Sequence, residues 1–377
     1  MSLGLAALAA GLAIPAPAQQ PAPDAPAAAA PTRAPDAPAL PAWPRPAFTA
    51  DGVAHVPAFD LPPSQLSSPE AQAFQKLRAR MPAMVPGGGN TPIAVERQRL
   101  AAMLGPQAEA MRKLYPVDVE ETAIAGIPVR IVTPHGRKPD PARVLINVHG
   151  GAFTTCWEAC SLLESVPVAA LGGYRVVSVN YRMAPEARHP SGIEDTVAVY
   201  RELLKRYPPR RIGLYGCSAG GALTAQIAAW LPAHKLPQVG AAGIFGAGGV
   251  RFMAGDSAWI AASTDGSFPP PVLGDGKPKA DMTHGYFAGA DMNDPVISPA
   301  LHADVIARFP PTLIITGTRA MDMSPAVVTN SALIKAGVPS TLIVGEGMGH
   351  CYIYQHQLPE ARDAHAAIVA FFRRNLN

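Results

Sequence analysis

From Val117 onward the chain alternates short apolar, β-branched runs with helical stretches, and this alternation restricts the fold more than any other feature of the sequence. Val144 to Val148, Tyr174 to Asn180, Arg211 to Tyr215, Ala241 to Phe245, Thr312 to Thr316 and Thr341 to Val344 are almost continuously apolar, as strands covered on both faces must be. Strands joined through helices pair in parallel, because the helix carries the chain back to the starting edge. Val117 to Ile124 and Ile127 to Thr133 are separated only by Ala125-Gly126 and predict an antiparallel hairpin that leads the sheet. Ser191 and Glu194 read as a capping box, opening a helix with Ile193, Val197, Tyr200 and Leu204 on one face. The fold class is therefore α/β, a doubly wound and mostly parallel sheet over residues 117–377, with an irregular insertion at about 251–299.

Helix signals precede the first strand. Ser68-Pro69-Glu70 predicts a helix to about Met81, Thr91-Pro92 a second toward Met103, and Pro106 to Leu114 a third. Residues 66–116 thus form a helical appendage, expected to cover the pocket as a cap. Further upstream, eleven prolines fall between Pro15 and Pro46 among alanines, a composition that builds no core and predicts an extended tether over 19–65. Residues 1–18 hold an apolar run, Leu3 to Ile14, followed by Ala16-Pro17-Ala18, which has the small-x-small form of a signal-peptidase site. The run is too short for a transmembrane span, which takes about 20 residues, so the expectation is export to the periplasm or medium.

Lys and Arg number 31 against 28 Asp and Glu, a balance that supplies no basic field and argues against nucleic acid as a partner. The four cysteines, Cys156, Cys160, Cys217 and Cys351, include no C-x-x-C pair and no histidines at zinc spacing, so no metal is expected. Cys156 and Cys160 are spaced either for a short disulfide loop or as two small core residues. Oligomeric state is not legible.

In a doubly wound sheet, chemistry belongs at the carboxyl ends of the strands. The run ending at Tyr215 continues into Gly216-Cys217-Ser218-Ala219-Gly220-Gly221, a G-x-S-x-G motif between a predicted strand and a helix over Ala219 to Trp230. Glycines permit a turn tight enough to lift the Ser218 hydroxyl off the sheet. A serine needs a base, and His350 follows the last strand run in a glycine-rich loop. An acyl intermediate needs backbone donors for its oxyanion, and His149-Gly150-Gly151-Ala152-Phe153 follows the run ending at Val148. Gly150, Gly151 and the amide of Ala219 are the candidate donors, with His149 a structural brace.

These pieces, together with Tyr181-Arg182-Met183-Ala184-Pro185-Glu186, resemble the hormone-sensitive-lipase-like (bacterial family IV) carboxylesterases of the α/β-hydrolase fold, over about residues 117–375. The resemblance implies Ser218 as nucleophile, His350 as base, short or medium acyl esters as small-molecule substrates, an N-terminal helical cap, and no cofactor. Two positions depart from the family pattern. Asn180 stands where an aspartate is common, and Ala320 stands where the loop after the penultimate strand usually carries the acid. Asp322, two residues on, is the candidate replacement, with Glu346 and Asp256 as others, and with an impaired enzyme whose Ala320 replaced a working aspartate as a further reading. The function classes are accordingly a serine carboxylesterase or a catalytically silent small-molecule binder that kept the pocket.

Overall fold

The computed structural model describes residues 45–78, 91–264, 270–271 and 281–377, so the expected signal segment and most of the proline-alanine tract lie outside the described residues. The chain divides into two compact units, Met1–Asp60 and Leu61–Asn377. In the first, β1 (Ala47–Phe48) pairs antiparallel with β2 (Ala54–His55). This ribbon falls inside the tract read as tether, and it is closed by Thr49, whose hydroxyl accepts the Val53 amide at 2.9 Å.

The second unit opens with α1 (Pro69–Arg78) and α2 (Ile93–Leu114). Ser68 Oγ accepts the Ala71 amide at 3.1 Å, the cap expected of that serine. The two helices expected on either side of Pro106 are one, with Pro106 inside it. Proline removes a single backbone bond there, and the helix continues because Leu104, Ala108 and Met111 stay packed on the domain behind it.

The sheet then forms from β3 (Val117–Ile124), β4 (Ile127–Pro134), β5 (Val144–Val148), β6 (Arg175–Val179), β7 (Ile212–Cys217), β8 (Ala241–Phe245), β9 (Thr312–Gly317) and β10 (Ser340–Gly345). Their spatial order is β10-β9-β8-β7-β5-β6-β4-β3, antiparallel at the β3–β4 and β4–β6 pairs and parallel elsewhere. Between strands run α3 (Trp157–Gly172), α4 (Ser191–Leu204), α5 (Ala219–Ala233), α6 (Asp256–Thr264), α7 (Ala303–Ile306) and α8 (Met323–Lys335), and α9 (Pro359–Asn375) follows the last strand.

Side chains alternate across the sheet. Val144, Ile146 and Val148 of β5 join α4, α5 and α8 in one core layer, whereas Leu145 joins α3 and α9 in the other. Ala71, Ala108 and Met111 of the first two helices belong to that second layer. The capping box expected at α4 does not form. The helix already begins at Ser191, whose hydroxyl donates to the Arg182 carbonyl at 3.3 Å, and Glu194 is held by Arg182 at 3.0 Å.

Candidate active site

β7 ends at Cys217 and α5 begins at Ala219, leaving Ser218 alone in the turn with φ 60° and ψ −123°. A non-glycine residue pays on the order of 1–3 kcal/mol for such a backbone, so the surroundings must hold it. They do so through the Ser218 amide, which donates to the Phe245 carbonyl of β8 at 2.8 Å. The glycines allow the crowding: a Cβ on Gly220 would lie 1.8 Å from the Val148 carbonyl oxygen, and one on Gly216 2.1 Å from the same atom.

The loop after β10 brings His350 to this serine, with Nε2 3.0 Å from Ser218 Oγ. On the other side of the ring, Nδ1 is 2.6 Å from Asp322 Oδ1. Asp322 is fully buried, and its second oxygen accepts the Thr316 hydroxyl at 2.6 Å. A compact turn makes this possible. The Ala320 amide donates to the Gly317 carbonyl, the Met323 amide to the Ala320 carbonyl, and Asp322 arrives at the N-terminus of α8 beneath the histidine. The two other carboxylates are elsewhere: Glu346 accepts the Ser64 hydroxyl at 2.7 Å, and Asp256 starts α6 at the surface.

The loop after β5 departs from expectation at one residue. The Gly150 amide donates to Glu164 Oε1 at 2.9 Å, so it is engaged within the protein and does not face a substrate oxygen. Among the described residues, no acceptor takes the amides of Gly151, Ala152 or Ala219, and Ala152 and Ala219 line the cavity with Ser218. Gly151 at φ 112° and Ala152 at φ 55° turn this stretch toward the serine. His149 is fully buried, sits stacked on Tyr181 at 4.6 Å between ring centroids, and is pushed by burial down to about 4, which keeps it neutral. The Tyr181 hydroxyl donates to the His149 carbonyl at 2.8 Å and the Ala184 amide to the Phe153 carbonyl at 2.9 Å, which is what the segment from Tyr181 to Glu186 does here.

Sequence reasoning missed Glu164, although a lone carboxylate inside the apolar run Leu162 to Val168 was a signal. It accepts from Gly150 N at 2.9 Å, Tyr354 OH at 2.5 Å, Asn147 Nδ2 at 2.8 Å and Cys217 N at 3.1 Å. One carboxylate thereby joins the loop after β5, the strand before Ser218 and the segment after His350. Burial pushes it up to about 7, against the downward pull of those four donors.

Both cysteine pairs are disulfides. Cys156–Cys160 closes the short loop at the start of α3, and Cys217–Cys351 was not foreseen. Its signal was present, since Cys217 precedes Ser218 and Cys351 follows His350, so a serine and histidine in contact bring their chain neighbours together.

A cavity of about 360 Å³ opens on Ser218. Its walls are mostly apolar, among them Phe153, Ala222, Phe252, Met282, Phe287 and Ile297, with Gln226 on the same face of α5 as Ser218 and Ala222. Among the described residues the outer wall comes from 250–253 and 281–297, within the irregular insertion, and no residue of 66–116 lines it. The helices expected there as a cap act from behind. Arg97 of α2 binds the Thr154 carbonyl at 2.7 Å and both Glu186 oxygens, Glu96 meets His284 Nε2 at 3.0 Å, and α1 walls a smaller cavity on the far side of His350. Among the described residues no group of three His, Cys, Asp or Glu side chains is placed to hold a metal ion, and no helix is long and apolar enough to cross a membrane.

A family model described as alpha/beta hydrolase fold matches residues 145–354. An acetyl-hydrolase of Streptomyces hygroscopicus is 32% identical over 238 residues, spanning 61% of this chain and 75% of that protein. Among solved structures, the esterase E25 superposes with a TM-score of 0.72 at 27% identity, covering 86% of this chain and 99% of that one. An esterase from the bacterial hormone-sensitive lipase family gives a TM-score of 0.69 at 26% identity over 83% of this chain and 100% of that one.

Proposed function

Because this chain belongs to the α/β-hydrolase fold family, in its hormone-sensitive-lipase-like group, we propose that it is a serine carboxylesterase acting on short- or medium-chain acyl esters. The observation that carries the proposal is the position of His350, 3.0 Å from Ser218 Oγ and 2.6 Å from Asp322 Oδ1. In this reading Ser218 Oγ attacks the ester carbonyl while His350 Nε2 takes its proton. Asp322, accepting from Nδ1–H, fixes the imidazole tautomer and offsets the positive charge that forms. The amides of Gly151, Ala152 and Ala219 receive the oxyanion. His350 then returns the proton to the leaving alcohol, and a water molecule, deprotonated by the same nitrogen, releases the acid from Ser218.

The competing binder reading drew on Ala320, and the buried Asp322 beside His350 favours the enzyme reading over it. Export is part of the proposal: all four cysteines are paired, as suits an oxidising compartment. The test is hydrolysis of p-nitrophenyl butyrate without added metal. Ser218→Ala should lower the rate at least ~10³-fold, and a fluorophosphonate should label the wild type at Ser218. Activity that survives the substitution, or that a chelator abolishes, refutes the mechanism.

A further inference from the structure

α5 is almost entirely buried and apolar, and only two polar side chains stand within it beyond its first turn, Thr224 and Gln226. Thr224 is satisfied, since its hydroxyl donates to the Gly220 carbonyl at 2.9 Å. Gln226 is not. It is 2% exposed, it lines the cavity that opens on Ser218, and its Oε1 has no hydrogen-bond partner among the described residues. A buried amide without a partner is costly, and a leucine or methionine in its place would pack against the same walls at no such cost. Water that entered to satisfy it would be displaced by any ligand filling this apolar cavity, and the ligand must then replace that bond.

Position along the helix defines where the bond would fall. Ser218, Ala222 and Gln226 succeed one another on one face, and eight residues of helix separate the first and last Cα atoms by roughly 12 Å. Helical side chains lean toward the N-terminus, which brings the amide to roughly 10 Å from the serine. An extended chain advances about 1.2 Å per bond, so this span corresponds to about eight bonds.

We propose that Gln226 is the polar end of a substrate subsite, and that the preferred ester carries a hydroxyl about eight bonds from its reacting carbonyl, with an apolar arm between. A hydroxyl both donates and accepts, so it satisfies the amide whichever way its oxygen and nitrogen are turned. The inference rests on the esterase reading and deepens it by assigning the substrate class. Discrimination of this kind is steep because an analogue lacking the polar group leaves the buried amide unpaired.

The experiment compares matched esters. On the acyl side these are p-nitrophenyl octanoate and p-nitrophenyl 8-hydroxyoctanoate; on the alcohol side, where the ester oxygen adds to the chain, hexyl acetate and 6-hydroxyhexyl acetate. The wild type should favour the hydroxylated member by about tenfold or more in kcat/KM in one of the two series, and the series identifies which arm enters the cavity. In Gln226→Met the ratio should fall to one or below. Each ratio is taken within one protein, so a loss of folded enzyme cancels. A wild-type ratio near one in both series, or a preference that survives Gln226→Met, overturns the inference. Hydrolysis of p-nitrophenyl acetate by the wild type separates the two levels. If acetate is cleaved and the hydroxyl makes no difference, only the subsite fails; if acetate is not cleaved, the esterase reading fails and the subsite falls with it.

Discussion

Replacing Glu164 with glutamine tests whether one buried carboxylate wires the site together. The side chain keeps its shape but trades one acceptor oxygen for an amide, in a place where all four neighbours donate. The less harmful orientation keeps the oxygen on Asn147 and Cys217, because Asn147 Oδ1 is already committed to the Ser178 hydroxyl at 2.6 Å and its amide must donate. The new NH2 group then faces Tyr354, whose hydroxyl can rotate to accept, and the Gly150 amide, which cannot. One orphaned backbone N–H costs about 1–3 kcal/mol, whereas the weakening of charge-assisted bonds to neutral ones is offset by the relieved desolvation of the carboxylate, which outweighs those bonds at Glu164. The expected net loss is about 1–3 kcal/mol, together with a fall in kcat as the loop from Gly150 to Ala152 shifts. Urea unfolding and ester kinetics measure both. The variant also carries a pH signature. With its folded value raised to about 7 from 4.5, Glu164 binds more protons in the native than in the unfolded state across that window, so its contribution to stability is full below about 4.5 and is lost as pH rises through about 7. Glu164→Gln should flatten that part of the profile. A variant within about 0.5 kcal/mol of wild type, with unchanged kcat and an unchanged pH profile, would refute the claim that this carboxylate couples the three segments.

Asp322→Asn should lower kcat at least ~10²-fold, whereas Ala320→Asp should add little, since the Asp322 carboxylate already occupies the position beside His350 Nδ1; kinetics of the two variants decide this. The double variant Cys217→Ser/Cys351→Ser opens a loop of sequence separation 134 and should cost up to about 5 kcal/mol in denaturant unfolding; a change under about 1 kcal/mol counts against the bridge forming in solution. Deleting residues 19–60, most of the tract read as tether, should leave kcat and KM for p-nitrophenyl butyrate unchanged, and a marked fall in either refutes that reading.

The sheet was legible because buried parallel strands are written as apolar runs, and the strand beginnings from Val117 to Ser340 agree with those runs to within a residue. Ser218 and His350 were legible for a related reason: strand ends announce themselves, and chemistry collects there. Asp322 could be named only as one carboxylate among several, because the turn from Gly317 to Met323 decides which residue faces the histidine. Gly150 was misread because glycine sequence does not say whose acceptor an amide meets, and that acceptor, Glu164, lies on a different element. The outer wall that the described residues give the cavity was not legible for a similar reason. Residues 66–116 advertise helices, but which layer they join depends on the docking of Met111 and Arg97 against groups far along the chain.

The bond between Cys217 and Cys351 makes a ring of the chain between them, and that ring holds, among the described residues, the outer wall of the cavity, the carboxylate at 322 and, just inside its closure, both Ser218 and His350. A ring tolerates a cut. One proteolytic nick anywhere within it leaves two pieces still joined, so nicked protein migrates as a single species until a reductant separates them. When the sheet melts, the serine and histidine are still held within a few residues' reach of each other, and the unfolded chain has lost much of the freedom it would otherwise have to separate them. Recovery from heat should therefore depend on the redox state of the surroundings, and a cell that reduces the bond would hold a protein with the same side chains but a less durable site.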